Sequence, residues 1–340
     1  MENQILKNLE EQYTKPSVSL LADLSEIDGD FMLLGVGGKM GPSMAKLLKD
    51  GLRQIGSTSK VIGVSRFSDN QCREDLHRWG VETIACDLLD DEALRSLPKV
   101  KNVIFLVGFK FGATGKEDFT WAMNTYLPGR VAEAFKDSRI VAFSSGNVLP
   151  FVPVTSGGVD EGGAPEPIGE YAQSTLGRER MFSYFSKRNA TPVLIYRLNY
   201  AVDFRYGIIR EIAKKVYHQQ PIDLRTNNVN VIWQHDANEI AIRSLLHCES
   251  PAKVLNVTGP EVLSIRWVAE KLGEVLGKEP QFENEPEATA LLNNAAECHR
   301  LFGYPNVTIL SIIEITAQWI LHKGDEFGKD THFQERRGQF

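Results

Sequence analysis

The chain has 340 residues, 42% of them hydrophobic, and carries a net charge of -6 with no basic block. That length and composition can bury the core of one large or two coupled domains, and the charge argues against nucleic acid as the main partner. No apolar run is long enough to span a membrane, and Met1 to Gln12 lacks a signal-peptide core, so a cytoplasmic protein without a membrane partner is expected.

Residues 1–29 read as a leading helix and loop. Phe31–Leu34 is a short apolar run suited to a buried parallel strand. It breaks into Gly35-Val36-Gly37-Gly38-Lys39-Met40-Gly41, after which Met44, Ala45, Leu47 and Leu48 recur at helical spacing. Lys60–Val64, Val81–Ala85, Val103–Val107, Arg139–Phe143 and Pro192–Arg197 read as further strands. Amphipathic stretches such as Asp90–Ser96 and Trp121–Phe135 lie between them. This alternation predicts an α/β fold, a doubly wound parallel sheet with helices on both faces.

After residue 198 the pattern loosens. Tyr206–Tyr217 and Ile265–Leu276 read as helices, the second capped by Ser264. Val254–Val257 is placed to return a strand to the main sheet. A smaller second domain, interleaved with the first, is expected over 199–323, with return segments to the first near 233–258. The tail, 324–340, is polar with Phe327, Phe333 and Phe340 spaced along it. It reads either as a frayed end or as a strap held by those rings. Cys72, Cys86, Cys248 and Cys298 are scattered without a CxxC pair, which predicts reduced thiols. The histidines show no metal-ligand spacing.

Gly35, Gly38 and Gly41 fit the spacing G-x-x-G-x-x-G at a strand-to-helix turn. Glycine permits the tight turn and lets a pyrophosphate approach the helix N-terminus, where free N–H groups attract it. Later strands end at Val64-Ser65-Arg66, at Cys86-Asp87-Leu88 and at Leu106-Val107-Gly108-Phe109-Lys110. The fifth runs into Ser144-Ser145-Gly146-Asn147-Val148. Pro165-x-Pro167-x-x-x-Tyr171 then opens a helix, Gly169–Phe185.

In this order the motifs resemble the extended short-chain dehydrogenase/reductase family, in its NAD-dependent epimerase/dehydratase branch. Downstream, His235-Asp236, Leu255-Asn256-Val257-Thr258-Gly259 and Leu301-Phe302-Gly303-Tyr304-Pro305 extend the resemblance. It implies a Rossmann domain over 30–198, following an N-terminal extension over 1–29. It also implies hydride transfer at a hydroxyl or carbonyl of a sugar-like small molecule. By resemblance, Ser145 holds the reacting oxygen and Tyr171 exchanges its proton. Gly35, Gly38, Lys39, Met40 and Gly41 match the cofactor turn. Asp87 and Leu88 match the pair at the adenine, and Val107 and Gly108 line the cofactor. Lys110 matches a lysine beside the pyrophosphate, Asn124 an asparagine of the same site, and Asn199 a cofactor or substrate contact. Phe109, Asn147 and Tyr200 are further substrate-wall candidates. The helices Trp121–Phe135 and Gly169–Phe185 match those that pair two subunits, and Met181, Phe182 and Phe185 add apolar surface, so a homodimer is expected.

Two positions depart from the family pattern. The lysine four residues after the tyrosine, whose charge favours tyrosinate and which binds the nicotinamide ribose, is Thr175. Three readings follow: another cation serves Tyr171, with Lys110 and Arg178 as candidates; or the reaction is a reduction that tolerates neutral tyrosine; or the chain binds cofactor without turnover. In every case Thr175 retains at most a ribose contact. The acidic residue that binds the adenosine ribose in NAD-binding members is replaced by Ser65-Arg66. Arg66 can fork onto a 2′-phosphate, Ser65 can add a hydroxyl and Lys39 charge, so NADP is expected over NAD. Net carbonyl reduction with NADPH, and a non-catalytic NADP sensor or scaffold, are the competing functions.

Overall fold

The computed structural model describes every residue except Met1, Asp69, Phe111, Ala113, Lys329, Asp330 and Phe340, together with the side chains of Glu2 and Asn3. Seven parallel strands form its sheet: β1 (Phe31–Leu34), β2 (Val61–Ser65), β3 (Glu82–Ala85), β4 (Asn102–Phe105), β5 (Arg139–Ser145), β6 (Val193–Leu198) and β7 (Lys253–Val257). Their order is β7-β6-β5-β4-β1-β2-β3. Chain order reverses at β1, whose Phe31 pairs with Val61 on one side and Asn102 on the other. Such a reversal opens a crevice beyond the strand ends.

β1 is buried on both faces. Phe31 and Leu33 enter one apolar core, and Met32 and Leu34 enter the other. Two-residue periodicity divides a continuous apolar run between two helix layers in this way. Helix α1 (Gly41–Gln54) follows the glycine turn, and helix α2 (Gly169–Asn189) packs against β5. Between them, Glu117–Trp121 and Leu127–Ala134 are α-helical and are joined by a π turn over Ala122–Tyr126.

A second core gathers around helices Ile208–Tyr217, Ile265–Leu276 and Ile309–Leu321. Phe204 lies at its centre, stacked on Trp319 at 4.6 Å and edge-on to Trp233 at 4.9 Å. The chain enters it after β6, returns through helix Gln234–Arg243 onto α1, and closes the sheet edge with β7.

Residues before β1 form two helices where one was expected, Glu2–Tyr13 and Val18–Glu26. Leu20 and Leu24 are buried in the first core, while Leu6, Leu9 and Tyr13 pack on the second. The extension therefore joins both cores.

The tail is a strap. Thr331 bonds Glu211 through Oγ1 at 2.7 Å, and Phe333, 3% exposed, is part of the second core. Arg336 donates to the Thr289 carbonyl at 2.8 Å and lies 4.3 Å from the centre of the Phe151 ring. Gly338 meets Ile168 and Gly169 backbone to backbone, with no room for a methyl group at either glycine. Of the three aromatics expected to hold the tail, Phe333 anchors it, Phe327 is 43% exposed, and Phe340 lies outside the described residues.

All four cysteines are free thiols. Among the described residues no helix is long and apolar enough to cross a membrane, and no cluster of His, Cys, Asp or Glu is placed to hold a metal ion.

Candidate active site

The loops after β1 and β4 meet where the sheet reverses. Gly35 has φ +89°, and a Cβ there would stand 2.9 Å from the Val107 side chain. A Cβ on Gly41 would stand 2.1 Å from the Val36 carbonyl oxygen. These two glycines are therefore obligatory, whereas Gly38 has room for a methyl group. Gly37, which the sequence reading passed over, brings the backbone against the end of β2: its Cβ would lie 2.7 Å from Ser65 Oγ. Met40 precedes the first turn of α1, which contains Pro42 and no acidic residue. Such a turn presents unpaired N–H groups and a positive dipole end. A backbone cradle closed to side chains, in front of a helix N-terminus, fits the pyrophosphate of a dinucleotide.

At the end of β2, Ser65 is half-buried and Arg66 is exposed. Lys39 does not stand open beside them. Its ammonium is out of solvent, 3.3 Å from the centre of the Tyr206 ring, so the expected charge at a 2′-phosphate rests on Arg66. Asp87 is exposed and its carboxylate accepts from Leu89 N at 3.1 Å, while Leu88 is buried.

β4 ends at Phe105, two residues before the predicted limit; Leu106 N still donates to the Leu34 carbonyl at 2.8 Å, and further along the loop Phe109 is held by Asn124. Asn124 is fully buried in the π turn. Its Oδ1 accepts from Phe109 N at 2.8 Å and its Nδ2 donates to the Phe109 carbonyl at 2.9 Å. Nδ2 also reaches Ser174 Oγ at 3.0 Å. Arg178, 5% exposed, completes this cluster: Nη2 donates to Asn124 Oδ1 and Nη1 to the Phe143 carbonyl, both at 2.8 Å. Desolvation lowers the Arg178 guanidinium to about 10, against the opposing pull of Tyr171 and Glu179. A Cβ on Gly108 would press on Arg178 Nη2 at 2.9 Å. Asn124 thus braces the loop that lines the crevice.

β5 runs two residues beyond the predicted end, since Ser144 and Ser145 pair with Arg197 and Leu198 of β6. Ser145 then caps the short turn Gly146–Val148. Its Oγ donates to Asn147 Oδ1 at 3.0 Å and accepts from Asn147 N at 3.2 Å. α2 packs against this turn and carries Tyr171, half-buried, in its first turn. The Lys110 ammonium lies 5.2 Å from the centre of the Tyr171 ring, and desolvation lowers it to about 8. Beneath the turn, Arg197 pairs with Glu179 at 2.8 Å, and Glu179 accepts from Ser144 Oγ at 2.6 Å. The sequence reading missed this buried pair. No local signal separates Glu179 from the solvent-facing charges of an ordinary helix.

Two candidates are corrected by burial. Thr175 is 0% exposed with its hydroxyl unpartnered inside the protein, out of reach of a ribose. Asn199 is 3% exposed; its amide lies behind Gly146, with Nδ2 at 3.5 Å from the Leu291 carbonyl. Tyr200 is packed, with its phenol pushed up to about 12 by desolvation. Asn147 and Phe151 line a residual cavity of about 10 Å³ closed by Ile168 and by Glu335, Arg336 and Gly338 of the strap. A hollow of about 470 Å³ lies between Asn230, Gly259, Asn293 and His299 and touches none of the expected site residues.

No family model and no curated protein matches the sequence. Solved structures do. The UDP-glucuronic acid 4-epimerase of Bacillus cereus in complex with NAD superposes with a TM-score of 0.71, covering 86% of this chain and 99% of its own at 17% identity. For the Thermus thermophilus UDP-glucose 4-epimerase in complex with NAD the TM-score is 0.69, with 85% and 97% covered at 18% identity. For the Thermotoga maritima UDP-glucose 4-epimerase with UDP-glucose it is 0.68, with 86% and 99% covered at 15% identity. The fold is that of the extended short-chain dehydrogenase/reductases. The glycine cradle follows β1 and the Ser145 turn follows β5, with β4 between them, and α2 packs on the Ser145 turn.

Proposed function

We propose that the protein is a nicotinamide-dinucleotide-dependent oxidoreductase of the epimerase/dehydratase type, acting on a hydroxyl or carbonyl carbon of a sugar-like small molecule. The observation that carries this reading is the placement of Tyr171 on a helix packed against the Ser145 turn, with the glycine cradle and the Val107–Lys110 loop beside them. A bound nicotinamide supplies the hydride donor or acceptor. Residues 30–198, with the return segments near 233–258, form its dinucleotide-binding domain, and 199–323 its substrate domain.

In this reading Ser145, already oriented by Asn147, holds the substrate oxygen, and the Tyr171 phenol gives it a proton or takes one. Phe109, Asn147 and Tyr200 wall the substrate. Replacing the phenol removes an acid–base contribution of roughly 10²–10⁴-fold and leaves dinucleotide affinity nearly intact. The test is turnover by Tyr171→Phe on whichever substrate a nicotinamide-fluorescence screen finds. Full activity in that variant overturns the assignment. Cofactor binding without turnover across a broad panel supports the sensor instead.

Arg66, exposed at the end of β2 beside Ser65, favours NADP over the NAD held by the similar structures. A charge-assisted bond to the 2′-phosphate is worth roughly 1.5–3 kcal/mol, about tenfold or more in affinity. Calorimetry with both cofactors decides it, and equal affinities exclude the preference. A cytoplasmic homodimer completes the proposal. Its support comes from Trp121, Tyr126 and Tyr184, which are 38%, 58% and 55% exposed on the paired helices. The residues first expected there are used internally: Phe182 packs on Phe105 at 5.4 Å, and Met181 and Phe185 close over Gly129.

A further inference from the structure

We propose that residues 335–339 of the strap form a lid over the substrate crevice, latched by Arg336 and pivoting after Phe333. The inference rests on the proposed reading of Asn147 as a wall of that crevice, and it adds what admits a substrate to it.

The strap is held unevenly along its length. Phe333 belongs to the second core, its carbonyl accepts from Thr226 Oγ1 at 3.2 Å, and Thr331 is tied to Glu211. Beyond Phe333, none of the described residues 334–339 is buried. Glu335 N donates to the His332 carbonyl at 2.9 Å, a bond within the strap itself. The side chain that fastens this half to the body of the protein is Arg336. It donates to the Thr289 carbonyl at 2.8 Å and to Thr289 Oγ1 at 2.6 Å, and its guanidinium lies over the Phe151 ring. Thr289 is in turn paired with Pro153 in a two-stranded ladder, so the latch closes on a fixed catch. A segment that buries little and is held by partly exposed hydrogen bonds opens locally at low cost, whereas a core anchor opens only with the core.

What the segment covers gives the opening its meaning. The space between Asn147, Leu149, Leu291 and the strap is about 10 Å³, room for about one water molecule. Pockets that take small organic molecules run to roughly 300 Å³ or more. Arg336 borders this space together with Asn147, and its charge also reaches the Tyr200 phenol, where it opposes the rise that burial causes. The latch therefore neighbours two of the three expected substrate walls. A molecule the size of a sugar reaches Asn147 when 335–339 lifts. Lifting breaks the two bonds to Thr289 and the ring contact with Phe151, and leaves Phe333 in its core.

The test uses the full chain without ligand. A thiol placed under the lid by Leu291→Cys, or in a second protein by Leu149→Cys, reports opening through its rate of alkylation by iodoacetamide, read by peptide mass at that position. Both leucines line the closed space and are buried. Cys298, 0% exposed in the first core, is read in the same samples and reports unfolding of the whole chain. Adding Arg336→Ala speeds alkylation beneath the lid about tenfold or more, the size expected for losing bonds from a charged donor, and leaves the rate at Cys298 unchanged. Gly338→Val, whose Cβ would stand 2.3 Å from the Ile168 carbonyl oxygen, does the same by unseating the end of the strap. Arg337→Ala, at an exposed neighbour, changes neither rate. Equal rates with and without Arg336→Ala, a rise matched at Cys298, or a rise as large with Arg337→Ala overturns the proposal. Because access is read without substrate, its failure is distinct from failure of the Tyr171 assignment, which shows only as full turnover in Tyr171→Phe.

Discussion

The glycine cradle after β1 and the relay corner around Tyr171 occupy the same end of the sheet but are built on different principles. The cradle is local and steric: a few consecutive residues fix it because a Cβ would collide with Val36, Ser65 or Val107. The relay corner is assembled from far apart in the chain. Lys110, Asn124, Ser145, Tyr171 and Arg178 come from three separate segments, and the Asn124 side chain ties the Phe109 backbone to Arg178. A motif search finds the first kind of site and only the outline of the second.

Substitutions can break that contrast, and the largest effect is expected in the cradle. Gly41→Val places carbon 2.1 Å from the Val36 carbonyl oxygen, far inside van der Waals contact, so the turn cannot form. We expect a loss of roughly 4 kcal/mol or more, or no folded protein, by thermal unfolding. Gly38→Ala, in the same motif, should stay within about 1 kcal/mol. Equal losses at the two positions would show that the cradle is not controlled by its local sterics.

The relay corner should respond less in stability and more in chemistry. Asn124→Leu leaves the Phe109 N–H and an Arg178 N–H without their acceptor. Buried groups stranded in this way cost about 1–3 kcal/mol each. The Lys110 loop loses its clamp, so turnover should fall while dinucleotide affinity, measured by calorimetry, changes little. A comparable loss of affinity would merge the two regions into one.

How much of this was legible follows the same division. Phe31–Leu34 and Ile265–Leu276 were read with their observed limits, because apolar periodicity and an adjacent glycine or serine cap define them locally. The ends of β4 and β5 were misjudged because cross-strand pairing sets them from a distance. Helix Trp121–Phe135 was read as continuous; the π turn that buries Asn124 left no mark in its hydrophobic pattern. Tyr171, Ser145 and the missing lysine were visible as a motif. That Thr175 and Asn199 face inward was not, since burial depends on which elements pack over them. Arg178 was singled out because it lies seven residues after Tyr171 on the helix, whereas Glu179 and Arg197 carried no signal until the strands were paired.

A smaller effect sharpens the comparison through pH. The folded state holds Lys110 at about 8 against 10.5 for the free side chain, so between those values the unfolded chain binds more protons. Stability should therefore rise with pH across that window. Lys110→Met should flatten the stability slope relative to wild type in denaturant titrations at several pH values. An unchanged slope would remove Lys110 from the set of groups whose titration differs between folded and unfolded states.

The contact between Gly338 and Gly169 has a mechanical consequence. Gly169 is two residues before Tyr171, and the two backbones touch with no side chain between them to absorb displacement. Tension applied along 331–339 is thus delivered to the first turn of the helix that presents the phenol. A surface tether or a bulky fusion attached through this segment would load the reactive end of α2 directly.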